Sequence, residues 1–302
     1  MPQSQRDVRN RIAAVKNIEK ITRAMAMVAA ARLRRSEQRI HALRPYASAI
    51  RRMTRRAAEA AGDVPKVPIL QEHAEIRRVG LLLVAGDRGL AGAFNSNIVR
   101  AGIAVGRELE ASGREVAYFA SGRRVASSLT FRRLDPVDSF IGFTDRPSYA
   151  DARRIAERLM AAYLDNEVDQ VEVFYNGYVS AISQVVRRET LLPLQRATVL
   201  EAEAPEPAAG GTAPHLRVVP EYEPDAEAVL RRLVPDYVEI SVYRALLEST
   251  ASEHGARMTA MRQASDNASE LIQDLTLQMN RARQAEITQE IMEVVAGAEG
   301  LR

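Results

Sequence analysis

Apolar residues recur at helical spacing over both ends of the chain and in short buried runs between them. Near the N-terminus Val8, Ile12, Val15, Ile18, Ile21, Met25 and Val28 follow one another at three- or four-residue steps. That spacing gathers them into one stripe, with Arg9, Arg11, Lys16, Lys20 and Arg23 on the other faces. The stripe thins to Ala29, Ala30 and Ala31 and resumes at Leu33, Ile40, Leu43, Ile50 and Met53. The first glycine is Gly62 and Pro45 predicts a kink at most, so a single helix is expected over residues 3–60. At 1.5 Å per residue it would run for about 80 Å, more than a small domain can bury. From Pro235 to Ala298 the pattern returns through Leu246, Met258, Met261, Ala268, Leu271, Leu275, Met279 and Ala282, and is extended by Ile287, Ile291 and Val294. Two terminal helices with matched Ala/Met/Leu stripes predict an antiparallel coiled coil. Its expected seam is Ile12, Val15, Ile21 and Met25 against Leu271, Leu275 and Met279.

The middle of the chain reads differently. Val79 to Ala85 is an apolar run closed by Gly86, as in a buried parallel strand. A helix is expected from Asn95 to Leu109, a strand at Glu115 to Ala120 and a short helix from Arg123 to Leu129. Ser148 caps an expected helix from Tyr149 to Leu164, and strands follow at Gln170 to Tyr175 and Gln184 to Leu194. The last alternates in polarity, as at an antiparallel edge. Residues 201–225, rich in Pro, Gly, Ala and Glu, predict a surface loop with one strand at Leu216 to Pro220. The fold class is therefore α/β with long helices: a coiled coil of the two termini plus a small Rossmann-like α/β domain. The expected division is 1–60, 75–225 and 235–302.

Composition narrows the chemistry. The 302 residues include no cysteine, which excludes a disulfide framework, thiolate metal ligands and a cysteine nucleophile. Apolar residues at 46% and charged residues at 27% describe a folded chain, and its longest apolar runs fall far short of a membrane span. A charged N-terminus without an apolar signal core does not predict secretion. The net charge of +3 conceals an asymmetry: residues 1–60 carry 15 Lys and Arg against 4 Asp and Glu, so the remainder sums to −8. Such an arm can meet nucleic acid, anionic lipid or an acidic protein collar. For nucleic acid the arm has only Tyr46 as an interleaved aromatic and an acidic C-terminal half behind it.

The segment Gly86-Asp87-Arg88-Gly89-Leu90-Ala91-Gly92 sits between a strand and a helix, where a dinucleotide fold places G-x-G-x-x-G and a P-loop places G-x-x-x-x-G-K-[ST]. It fits neither, and a tight structural turn is the better reading. His41, His73, His215 and His254 show no metal-ligand spacing, and no nucleophile elbow is present. No catalytic, cofactor or metal site is expected.

Further residues carry a family resemblance. Arg11-Ile12-Ala13-Ala14-Val15-Lys16 with Lys20-Ile21-Thr22-Arg23-Ala24-Met25, the segment from Gly86 to Asn95, Ser265-Asp266-Asn267-Ala268, Asn280-Arg281-Ala282-Arg283-Gln284-Ala285, and Ile287 through Ala298 are similar to the gamma subunit of F-type ATP synthases. The match runs in order along the whole chain and its C-terminal part is highly specific. Arg32 stands where that family usually has Lys, and Ala91 where many members have Cys. The cysteine-bearing insert of the chloroplast form is absent. The resemblance implies a non-catalytic rotor shaft, one copy per complex, inside a hexamer of alpha and beta subunits. It also implies a foot on the membrane c-ring beside the epsilon subunit, a peripheral place on the cytoplasmic side of the cell membrane, and coupling of proton flow to ATP synthesis. No cofactor and no nucleic acid are implied. The resemblance assigns Asn280, Arg283 and Gln284 to contact with a beta subunit, and Ile287, Thr288, Glu290, Glu293, Gly297 and Ala298 to the family signature.

Overall fold

The computed structural model describes residues 5–60, 67–194 and 225–299. The expected strand at Leu216 to Pro220 and His215 lie outside them. The elements are α1 (Gln5–Ala60), β1 (Arg78–Val84), α2 (Phe94–Ala111), β2 (Glu115–Ser121), α3 (Arg123–Phe131), β3 (Asp138–Phe140), α4 (Tyr149–Leu164), β4 (Gln170–Tyr178), β5 (Gln184–Leu192) and α5 (Ala226–Glu299). β3 was not foreseen, being only three residues long. α5 begins nine residues before Pro235, which the helix carries in its interior.

The chain divides into two compact units, 1–31 with 257–302, and 32–256, so α1 and α5 each contribute to both. In the first unit Val8, Ile12 and Val15 of α1 bury against Ala268 and Leu275 of α5, with Ile272 and Met279 half-covered. Ser269 Oγ donates to Glu19 Oε1 at 3.0 Å, which sets the antiparallel register.

The seam departs from the expected one at two places. Ile21 is 58% exposed and Leu271 41%, and neither belongs to it; Met25 is half-buried. Burial on α1 falls instead on Val8, Val15, Thr22 and Ala29, and the interval continues through Ser36, Ile50 and Ala57. The residues between, Ile12 and Leu33, are buried at the alternating four- and three-residue steps of a heptad. Stepping by three from Val15 to Ile18 to Ile21 turns the stripe back by about 60° each time, off the seam. Thr22, Ala29 and Ser36, small or polar, hold the positions expected of larger neighbours. The same drift places Leu271 one residue off a seam that uses Ala268, Ile272 and Leu275. Ile12→Ala should therefore lower stability by about 2 kcal/mol, whereas Ile21→Ala should stay within about 0.5. Urea midpoints of the two variants compare them directly, and equal losses would show that the register is wrong.

In the second unit five strands lie in the order β3-β2-β1-β4-β5, parallel except for β5, which runs antiparallel to β4 at the edge. Alternate side chains of β1 enter opposite layers, which is why its sequence is apolar without alternation. Leu82 and Val84 join Phe119, Val173, Ile155 and Leu159, together with Val238, Val242 and Leu246 of α5. Leu81 and Leu83 face the other way, onto Ile98 and Ile103 of α2 and Val125 and Leu129 of α3. Ser148 and Asp151 close the start of α4 as a reciprocal capping box. Ile50 of α1 packs with Leu233 and Ile240 of α5.

Candidate functional site

Two regions carry the residues singled out from the sequence. The first is the C-terminal end of α5. In an antiparallel pair, stepping back from Glu19 to Gln5 advances the partner from Ser269 to Arg283. Beyond that point α1 offers no facing residue among those described. The helix nevertheless continues to Glu299, and residues 283–296 are all exposed. Asn280, Arg283 and Gln284 share one face by their three- and four-residue spacing. The same face runs on through Ile287, Ile291 and Val294, of which Val294 is 73% exposed. Thr288 Oγ1 donates to the Gln284 carbonyl and Gln289 to Glu293, so both bonds stay within the helix. Glu290 is exposed, and Gly297 and Ala298 fall in the last helical turn. An exposed apolar stripe next to a polar cluster is the mark of an interaction surface.

The second region is the glycine turn. In doubly wound sheets ligands enter the crevice beyond the carboxyl ends of the strands, where strand order reverses. Here that place lies between β1 and β4, and α5 fills it. Ser252 Oγ donates to the Asn176 carbonyl at 2.9 Å, and Thr250 Oγ1 to the Thr144 carbonyl at 2.9 Å. The Glu253 carboxyl approaches so closely that a Cβ on Gly86 would lie 2.7 Å from it, and the glutamate would have to shift to admit one. Asp87 draws the surrounding loops together. Its carboxylate accepts from the backbone N–H groups of Arg123, Gly142 and Thr144, at 2.9, 2.9 and 3.2 Å, and from Thr144 Oγ1 at 3.0 Å. Asn95 Oδ1 accepts from the Gly86 N–H at 2.9 Å, and Asn95 Nδ2 donates to the Arg88 carbonyl at 3.1 Å. Arg32 of α1 pairs with Asp145, which His254 also approaches at 3.9 Å. The turn thus grips a helix where related folds grip a nucleotide.

Sequence reasoning missed this role of Thr250, Ser252 and Glu253. The available signal was the polar run Glu248-Ser249-Thr250-Ala251-Ser252-Glu253-His254 inside a long helix, every member of which is buried.

The other described histidines stand apart from one another. His41 is exposed, and His73 Nδ1 lies 2.8 Å from Asp169 Oδ1 while its ring stacks on Tyr163. Among the described residues no group of three or more His, Cys, Asp or Glu could hold a metal, and no helix is long and apolar enough to cross a membrane. Burial pushes the Asp169 carboxyl up, but hydrogen bonds from His73 and from the Arg78 and Arg77 N–H groups outweigh it and hold it below its ordinary value. A carboxylate depressed in the folded state stabilises above its unfolded pKa of about 3.9, and that stability fades as pH falls through the lower folded value. Asp169→Asn should flatten this part of the acid limb in a series of urea midpoints below pH 5. An acid limb identical to that of the unaltered chain would contradict the assignment.

Comparison with known proteins agrees with this geometry. The family profile described as ATP synthase matches residues 4–301. The ATP synthase gamma chain of Rubrobacter xylanophilus is 43% identical over 298 residues, covering 99% of this chain and 98% of that one. The gamma chain of Kineococcus radiotolerans is 42% identical over 300 residues, 98% of this chain and 96% of its own length. Among solved structures, a chain of the Tetrahymena thermophila mitochondrial ATP synthase central stalk and c-ring superposes with a TM-score of 0.58 at 27% identity, over 81% of this chain and 99% of that chain. A rotor chain of the Euglena gracilis mitochondrial enzyme shares the fold, with a TM-score of 0.61 at 20% identity, over 94% of this chain and 98% of its own. The chain belongs to the gamma-subunit family of the F-type ATP synthases, the rotor of the central stalk.

Proposed function

We propose that this chain is a non-catalytic shaft that couples proton flow through a membrane c-ring to ATP synthesis in a hexamer of alpha and beta subunits. One copy per complex would stand with its foot beside the epsilon subunit, on the cytoplasmic side of the cell membrane. The observation that carries this reading is the C-terminal end of α5, continued past the reach of α1 with an apolar stripe open to solvent. Such a surface needs a sleeve. Asn280, Arg283 and Gln284, at the root of the stripe, would meet a loop of a beta subunit. Their donors and acceptors are suited to a polar contact that forms and breaks as the shaft turns. The basic arm of α1 fits an acidic partner surface, where charge complementarity guides encounter and register. An off-axis rotor biasing bistable interfaces is a known route to coupling distant sites.

Co-expression of the tagged chain with the alpha and beta subunits of the same source tests the proposal. Capture should retain both subunits in a complex that hydrolyses ATP. Recovery of the folded chain alone would overturn it.

A further inference from the structure

A furrow of about 330 Å³ opens between α2 and α3, on the face of the sheet opposite α4. Its floor is dry, with Val99 and Ile103 of α2 only 4% and 8% exposed. Its walls are cationic. Arg100 and Arg107 stand on α2 and Arg132 follows the last residue of α3, all three exposed. Arg100 and Arg107 are seven residues apart, two helical turns or about 10 Å along the axis, and so share a face.

Acids do not answer this charge. None of the three guanidinium groups is ion-paired among the described residues. Of the α2 carboxylates, Glu108 acts on Arg188 of β5. Glu110 bears on the Tyr118 hydroxyl, as Arg107 does, without pairing with Arg107. Arg132 donates through Nη1 alone, to the Ser128 carbonyl at 3.0 Å and to Ser128 Oγ at 2.5 Å. Oγ accepts in that bond, so its own proton is left for a ligand.

Cations gathered without acids raise the local potential and draw anions. The volume then selects among them. It lies at the small end of ligand cavities, about 300–1,000 Å³, and cannot admit an acidic helix about 10–12 Å across. A single phosphate fits, but it answers one end of a cleft whose cations are spread over two helical turns. A nucleotide brings a base, and no aromatic ring lines the furrow to stack on it. A short inorganic chain of phosphoryl groups matches the cleft in length and charge, and guanidinium forks suit its oxygens.

We propose that the furrow between α2 and α3 is a site for short inorganic polyphosphate. The anionic oxygens of the chain accept from Arg100, Arg107 and Arg132 and from the Ser128 hydroxyl. Occupied, the site ties α2 to α3.

Calorimetric titration of the full chain at about pH 8 with sodium tripolyphosphate, at constant ionic strength and without divalent cations, tests the assignment. One equivalent should bind saturably. Orthophosphate and AMP should bind about tenfold more weakly, having less charge to share among the three guanidinium groups. ATP should bind no more tightly than tripolyphosphate. Arg100→Gln with Arg107→Gln should weaken tripolyphosphate binding about tenfold while the helical circular dichroism is unchanged. Arg34→Gln with Arg35→Gln, at exposed positions of α1 outside the furrow, should leave the affinity as it was. Absence of saturable binding, equal affinity for orthophosphate, or undiminished binding by the α2 double variant would each overturn the proposal. Tighter binding of ATP would overturn the inorganic assignment, and an equal loss in the α1 pair would reduce the effect to the charge of the chain as a whole.

Discussion

Asp87→Ala should lower the thermal midpoint by roughly 6–12 °C. Four donors converge on that carboxylate, three of them backbone N–H groups, one at the start of α3 and two in the loop between β3 and α4. Hydrogen bonds to a charged acceptor contribute about 1.5–3 kcal/mol each. Asp87 is half-exposed, so water replaces part of what is lost and a net cost of about 3 kcal/mol is expected. At about 2–4 °C per kcal/mol for a domain of this size, that gives the stated range. Asp87→Asn keeps one acceptor oxygen and should fall between the two. Circular dichroism melts decide the matter. An unchanged midpoint would mean that the turn does not clasp its loops, and would reopen a ligand-binding role for it.

Arg283→Ala combined with Gln284→Ala should reduce ATP turnover of the assembled complex about tenfold or more and leave the isolated chain as stable as before. Both side chains are exposed and lie past the end of the α1 seam, so their removal creates no cavity. Alanine is moreover the best helix former. Loss of one charge-assisted contact in a moving interface, about 1.5–3 kcal/mol, corresponds to roughly 10- to 150-fold in rate. The measurement is ATP hydrolysis by reconstituted complex, with melts of the isolated chain as control. Full turnover would show that torque passes through the bulk of the helix pair and not through these side chains.

Much of the architecture was legible because long helices and buried strands leave strong periodic signals. The apolar run at β1, the Ser148 cap and the edge position of β5 were all readable locally. The seam was legible only near its end. Ile12, Val15 and Leu275 follow a clean alternation, but at Ile18, Ile21 and Leu271 a large apolar residue lies beside the heptad position and draws the eye from Thr22 and Ile272. β3 is too short to have a period. The spacing of the glycine turn sets it apart from the nucleotide motifs. What fills the crevice could not be read, because Thr250, Ser252 and Glu253 lie far along the chain from the loops they meet. The candidate contact residues Asn280, Arg283 and Gln284 rest on family resemblance; the structure adds that they share an exposed face.

The helix that fills the crevice is also made after every strand of the sheet it covers. Strands β1 to β5 are complete at Leu192, yet their covering residues Val238, Val242, Leu246 and Thr250 come up to 58 residues later. At about 5–20 residues per second, the sheet waits roughly 3–12 s with one apolar layer open. The wait adds to the slow closure of long-range contacts, such as the 106-residue separation between Thr144 and Thr250. During synthesis the nascent α/β domain is thus a natural client for a chaperone that shields apolar sheet surface. Chains arrested before Val238 should bind such a chaperone and be readily cleaved by protease, whereas chains released past Ala256 should lose both properties together.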